Sequence, residues 1–343
     1  AFLRAAGALA LTRWLESSLV TAYSYDTFLP RDRFAFPQPA RSERHTASGA
    51  AELAVHGSLG PVRCELRPSA RVEWSRTELH ASANFRDQYP TVRTLLVPTL
   101  RLGGVVEPVR GVALSASAAT GTRLPTIFEL FGDGGLVLPA LQLRPVKSTT
   151  YDGGVTLKGR KQALAGSAEL RGFWQERRDS IAMFRTAQYQ VKYQNLSQVR
   201  QWGAESRVTA EATRWFRTSG SFTWLETETA LGKRLPFRPR FIYYARPELR
   251  VPIERTWVSS ASVSSELWHR SFAFYDNANQ SWSDACTKLA FSAALGLLRD
   301  RVRVSARMDD SLDARCTDLV GYPLPGRSLF FTLSYREVDH DAS

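Results

Sequence analysis

Near its C-terminus the chain alternates apolar and polar residues with a period of two. In 288–297, Leu289, Phe291, Ala293, Leu295 and Leu297 alternate with Lys288, Ala290, Ser292, Ala294 and Gly296. In 301–308, Val302, Val304, Ala306 and Met308 alternate with Arg301, Arg303, Ser305 and Arg307. In 328–335, Leu329, Phe331, Leu333 and Tyr335 point one way, and Ser328, Phe330, Thr332 and Ser334 the other. Side chains along a strand point to opposite faces in turn, so this pattern predicts strands with one greasy and one wet face. The same reading predicts about fourteen strands, at roughly 8–19, 44–57, 61–78, 94–106, 108–119, 147–158, 161–175, 197–213, 215–226, 240–251, 255–269, 286–298, 300–309 and 327–336.

The connections between these strands alternate in length. Long ones fall at 20–43, 79–93, 120–146, 176–196, 227–239, 270–285 and 310–326. Short ones centre on Ser58-Leu59-Gly60, Glu107, Gly159-Arg160, Arg214, Pro252-Ile253-Glu254 and Arg299. A soluble all-β domain has no reason to keep that rhythm, whereas outer-membrane barrels pair short periplasmic turns with long extracellular loops. The pattern therefore predicts an all-β fold, an antiparallel up-and-down transmembrane β-barrel. Its apolar positions face lipid and its polar and basic positions face a wet lumen.

Composition agrees. No stretch approaches the roughly 18–20 apolar residues of a transmembrane helix. The mean hydropathy of −0.26 is what strands with one polar face average to. The chain holds 18 Phe, 11 Tyr and 9 Trp, and Trp74, Trp174, Trp202, Trp215, Trp224, Trp257 and Trp268 fall near strand ends, where aromatic girdles form. The net charge is +12. The long connections carry nearly as many acidic as basic residues, so most of the excess lies on strands and short turns. A basic lumen suits an anionic substrate and equally suits a wall wrapped around an acidic plug. The basic residues form no run, which argues against nucleic-acid binding.

Motifs of catalysis are absent. Gly132-Asp133-Gly134-Gly135 lacks the Lys-Ser/Thr of a phosphate loop, and there is no Gly-x-Ser-x-Gly elbow. His45, His56, His80, His269 and His340 are scattered. No enzyme, cofactor or metal centre is expected. Asp309, Asp310 and Asp313 admit either a calcium site or a solvated loop. With the C-terminus periplasmic, the final strand runs inward. That places Cys286 and Cys316 at neighbouring points of the extracellular rim, where a disulfide is expected. Cys64 falls near the periplasmic end of its strand and is expected to stay unpaired.

Segment 121–133 reads Gly-Thr-Arg-Leu-Pro-Thr-Ile-Phe-Glu-Leu-Phe-Gly-Asp. Through Arg123, Pro125, Thr126, Glu129, Leu130, Phe131 and Gly132 it resembles the Arg-x-Pro-Thr-x-x-Glu-Leu-[Tyr/Phe]-Gly signature of TonB-dependent receptors. The run from Leu143 to Gly154, with Pro145, Ser148, Tyr151 and Asp152, is similar to the element that follows in that family, with Val146 at a usually acidic position. Asn195 to Glu205, Leu235 to Arg240, and Gly321 to Arg327 resemble three further elements in the family's order.

The resemblance implies an outer-membrane receptor that imports a scarce nutrient, most often a ferric siderophore. It also implies a 22-stranded wall around an N-terminal plug. This sequence would supply part of that wall over 1–336 and a polar tail over 337–343. The plug and first strands would lie before Ala1. Implied partners are outer-membrane lipid, the plug, the TonB energy-transducing complex and a small-molecule or metal-chelate substrate. Loop position and side-chain type nominate Arg31, Arg33, Phe128, Arg185, Tyr189, Arg238, Tyr275 and Trp282 as substrate contacts. A different reading is a passive pore or structural barrel that works without a plug.

Overall fold

The computed structural model describes residues 1–29, 41–79, 92–132, 136–187, 189–253, 257–319 and 322–336. The wall is an antiparallel sheet in chain order. It runs β1 (Phe2–Ala10), β2 (Leu15–Phe28), β3 (Ser42–Leu59), β4 (Val62–Leu79), β5 (Val92–Val109), β6 (Val112–Arg123), β8 (Val146–Lys161), β9 (Leu164–Arg185), β10 (Val191–Ala212), β11 (Phe216–Thr229), β12 (Phe241–Pro252), β13 (Val258–Arg270), β16 (Cys286–Leu297), β17 (Val302–Asp309) and β20 (Ser328–Tyr335). A two-residue strand, β7 (Val137–Leu138), joins the upper end of β10 in parallel. Helix α1 (Ile127–Phe131) lies between β6 and β7. Two short ribbons stand above the wall: β14 (Ala273–Phe274) with β15 (Trp282–Ser283), and β18 (Thr317–Leu319) with β19 (Tyr322–Pro323). Among the described residues β1 pairs only with β2, and β20 only with β17.

Register fixes the two faces. Leu267, Leu289 and the neighbouring pairs Phe291↔Met308, Leu295↔Val304 and Val304↔Leu333 share one face. The same parity carries around the sheet to Leu170, Val155, Leu114, Leu102, Leu53 and Leu19, large apolar side chains that are mostly exposed. The opposite face holds rows of ion pairs, among them Arg71–Glu73 (2.5 Å), Arg171–Asp152 (3.4 Å) and Arg307–Glu266 (2.8 Å). An exposed apolar band on a sheet this wide is the lipid surface of a barrel wall, and the paired face is its wet interior.

Fifteen strands follow one another in the wall, one more than expected, because the stretch 8–19 is two strands. The chain reverses at Leu11–Trp14, where the Leu11 and Thr12 amides both donate to the Leu15 carbonyl (2.9 and 3.1 Å). That turn contains neither Gly nor Pro, so nothing in its composition marks it. Two stretches expected to be loops are largely strand. Strand β2 continues to Phe28, and β9 and β10 run to Arg185 and from Val191. These extensions mix apolar and polar residues on both faces, so they lack the alternation that identified the rest. Two periplasmic-side turns also sit a few residues later than expected, at Arg110-Gly111 and Gln162-Ala163. Gly111 has φ +88, and a Cβ there would overlap the Lys158 carbonyl.

Trp74, Trp174, Trp202 and Trp224 share the lipid face toward the end of the sheet with the longer connections. Trp14, Trp215 and Trp257 sit at tight turns of the other end and are about half exposed or more. Trp268 departs from this pattern. Its register partners Tyr244 and Lys288 place it on the interior face.

Candidate functional site

The long connections gather at one rim. The segment between β6 and β8 holds α1 and β7. Thr126 caps α1: its hydroxyl accepts the Glu129 amide (3.1 Å), while the Glu129 carboxylate accepts the Thr126 amide (2.8 Å). That reciprocal pair is a capping box. The same carboxylate takes both guanidinium nitrogens of Arg123 (2.9 and 3.1 Å). Pro125 is fully buried. Gly132 ends the helix at φ +66, where a Cβ would overlap the Val137 carbonyl.

Leu130, Ala140 and Leu143 form a small core with Phe131, Leu141, Ile181 and Tyr193. Ile181 and Tyr193 belong to the upper parts of β9 and β10, on the interior parity, so the segment folds inward over the mouth. Three further anchors hold it. Asn195 accepts the Arg144 amide (2.8 Å) and donates to the carbonyls of Arg144 (3.0 Å) and Asp179 (2.7 Å). Arg93 donates to the Leu143 carbonyl (2.5 Å). Phe128 stands edge-on between Phe28 (6.2 Å) and Tyr193 (6.4 Å). The segment therefore braces strands from β2 to β10.

The last two extracellular connections form a second unit. Cys286 and Cys316 are joined by a disulfide, Cα to Cα 5.6 Å. Buried beside it, Arg270 donates to the Ser283 hydroxyl (3.1 Å), the Asp284 carbonyl (3.0 Å) and the Thr317 carbonyl (2.7 Å). Asp310, only 3% exposed, accepts the Ala314 amide (3.1 Å), and Asp313 accepts the Arg327 amide (3.0 Å). Asp309 pairs with Arg307. The three aspartates thus serve turns and an ion pair, and among the described residues no group of acidic, His or Cys side chains could hold a metal ion. Hydrogen bonds from the Ser281 hydroxyl and nearby backbone amides pull the Asp276 carboxyl down to about 2. Cys64 is free and faces lipid, two residues into β4.

Among the described residues, Arg93, Arg177, Arg234 and Arg238 at this rim make no ion pair. Arg177 lies above the Trp174 level on the interior face, and has no carboxylate partner among the described residues. Burial, with Arg238 and Arg123 nearby, pushes its guanidinium below the ordinary arginine range. Burial does the same to Arg234 and Arg93. Arg234 holds Nε and one terminal nitrogen buried without a hydrogen-bond partner. Such groups stay cationic, and half-buried cations without an ion-pair partner favour a nearby anion.

The nominated contacts do not form one cluster. Arg31 and Arg33 lie outside the described residues. Phe128 is a packing residue of the inward segment. Arg185 stacks over Tyr189 at the tip of the β9–β10 hairpin (4.8 Å). The Tyr275 hydroxyl bonds the Thr317 hydroxyl (3.0 Å), and its ring meets Phe237 (5.8 Å). Trp282 is 57% exposed on β15. Arg238 sits near Arg177. Sequence reasoning missed Arg93, Arg177 and Arg234. Their one signal was a position in or beside a long connection, shared with many solvated residues. The motif residues have structural work here. Pro145 leads into β8, Ser148 bonds the Gly121 carbonyl (3.3 Å), Tyr151 faces lipid beside Trp174, and Asp152 accepts the Ser117 hydroxyl (2.6 Å).

A wide up-and-down wall with a greasy outer face, an ion-paired interior and an inward-folded, arginine-bearing mouth defines a transmembrane barrel of the outer-membrane type. The family model for TonB dependent receptor-like β-barrels matches residues 6–309, and the chain belongs to that family, whose members are outer-membrane receptors and transporters. Among solved structures it is similar to the copper transporter OprC, at 17% identity and a TM-score of 0.73 over 97% of this chain and 56% of that one. It is also similar to the FrpB iron transporter from Neisseria meningitidis, at 12% identity and 0.70 over 96% and 54%. BauA, the ferric preacinetobactin receptor from Acinetobacter baumannii, matches at 12% and 0.65 over 94% and 52%. At these identities the likeness is one of fold, and the chain spans about half the length of each. No curated protein matches the sequence.

Proposed function

We propose that this chain is the substrate-facing part of a TonB-dependent outer-membrane receptor for energised uptake of an anionic metal chelate, a ferric siderophore being the chemistry that fits best. The observation that carries the reading is the arginine-rich mouth. Arg93 anchors the inward segment, Arg177 lies near Arg238 and Arg123, Arg234 sits in the β11–β12 connection, and among the described residues none of Arg93, Arg177, Arg234 and Arg238 makes an ion pair. A cationic mouth raises the local concentration of anions. Iron and copper transporters among the structural relatives support a metal-bearing cargo. In this reading a plug and further strands outside this sequence complete the receptor, and the TonB complex engages that other part.

The test is uptake of radiolabelled ferric siderophore by cells that rely on the full receptor. Uptake abolished by a protonophore, and reduced about tenfold or more by Arg177→Gln with Arg238→Gln, is the expected result. Uptake indifferent to the proton gradient would instead mark a passive pore.

A further inference from the structure

On the lipid face, Tyr151, Trp174 and Trp202 stand side by side across β8, β9 and β10. Tyr151 is the register partner of Trp174, and Trp174 of Trp202; the Tyr151 and Trp174 rings are 5.8 Å apart. Amphipathic rings on a lipid surface sit at headgroup level. The next outward-facing level above them carries Glu176 and Arg200, and the one above that carries Lys147 and Arg178. These side chains share the parity of the aromatics, so what lies beside them is the outer leaflet and not the lumen.

Lys147 and Arg178 are direct register partners. Like charges placed opposite one another in an antiparallel pair destabilise it. Among the described pairings no other two Arg or Lys residues oppose each other. Elsewhere a basic residue faces a neutral or an acidic one, as in Arg171↔Glu205, Arg207↔Glu169 and Arg217↔Glu211. The Arg178 side chain is 72% exposed and that of Arg200 49%. Glu176 is a single carboxylate shared between Arg178 (2.8 Å) and Arg200 (3.9 Å). Lys147 has no acidic partner among the described residues. Glu228, the other register partner of Arg200, makes no ion pair with it, and the cluster remains net positive with Glu228 included.

We propose that Lys147, Arg178 and Arg200 form a docking site on the outer wall for the phosphorylated headgroup of an outer-leaflet lipid. A phosphate seated between the two opposed cations relieves their repulsion, and the arginines offer it paired donors. The acyl chains of the same lipid then lie along Tyr151, Trp174 and the apolar residues below them. This site is on the opposite face of the wall from the arginines of the mouth, so it stands or falls independently of the transport reading.

The test uses the full receptor in phosphatidylcholine vesicles with and without phosphatidic acid, followed by native mass spectrometry of the lipid retained after detergent extraction. The wild-type protein should retain phosphatidic acid selectively, and Lys147→Gln with Arg178→Gln should weaken that retention about thirtyfold. Arg76→Gln, an outward cation paired with Glu78 elsewhere on the wall, should change nothing. Lys147→Glu guards against loss of fold, since it converts the opposed pair into an attractive one; it too should lose the phosphatidic acid. The proposal is overturned by wild-type retention no better for phosphatidic acid than for phosphatidylcholine, or by retention unchanged in Lys147→Glu. Displacement by inorganic phosphate at no more than the concentration of the phosphatidic acid would also overturn it, because it would show that the acyl chains add nothing and the site takes a simple anion.

Discussion

Glu129 carries two loads with one carboxylate: it closes the cap of α1 and clamps Arg123. Glu129→Ala should therefore loosen the inward segment by about 1–2 kcal/mol, the scale of a lost cap plus a charge-assisted pair. Limited proteolysis of the folded protein should then cut within 124–145 about tenfold faster, with the wall itself intact. An unchanged cleavage rate would mean that the small core of Leu130, Ala140 and Leu143 holds the segment unaided. The motif around Glu129 was legible in the sequence through its resemblance to a family signature. Its work was not, because the Arg123–Glu129 and Asn195–Arg144 contacts join residues whose proximity only the fold creates. The aspartates at 309, 310 and 313 show the converse. Three acids close in sequence admitted a cation site or a solvated loop, and in the fold they serve turns and an arginine.

Among the elements, the two last extracellular connections act as one body through Arg270 and the Cys286–Cys316 bond, 30 residues apart. By chain entropy such a closure contributes about 3–4 kcal/mol. Cys286→Ser with Cys316→Ser should lower the urea midpoint of the folded protein accordingly, whereas Cys64→Ser should leave it unchanged. Equal effects from both variants would mean that the bridge does not form. The rim position of the two cysteines could be worked out beforehand, because strand direction follows from counting hairpins back from the C-terminal strand. The extra strand at the other end of the chain left that count intact. Strand ends were legible only where lipid enforces alternation. Beyond the membrane β9 and β10 mix apolar and polar residues on both faces, and their upper halves read as loop. The turn at Leu11–Trp14 was hidden for a different reason: it has neither Gly nor Pro, and Leu11 and Trp14 continue the apolar positions of the strands around it.

At the scale of the molecule, one parity runs around the wall, interrupted only by register shifts near Val258 and between Val106 and Val109, and this makes a sharp contrast available. Arg placed at Phe291 or Leu295 should cost about 2–4 kcal/mol near the midplane. Arg placed at Ser292 or Ala294, one residue away on the wet face, should be tolerated. Folding yield into phosphatidylcholine liposomes measures the difference, and equal yields would mean that the faces are assigned the wrong way round. Arginine–carboxylate rows line the lumen face, and at the mouth Arg123, Arg144 and Arg240 are paired as well. Height above the membrane varies around the rim. Strands β9 and β10 have 22 residues each, and a tilted strand needs only about 9–11 to cross the bilayer. Roughly a dozen residues are left over, which at about 3.3 Å each and a tilt near 45° lift the Thr186–Gln190 turn some 25–30 Å above the lipid. Among the described residues that turn is the first an antibody approaching the cell would meet. Pressure to vary under immune surveillance would then fall on a handful of exposed residues, far from the buried contacts that keep the mouth in shape.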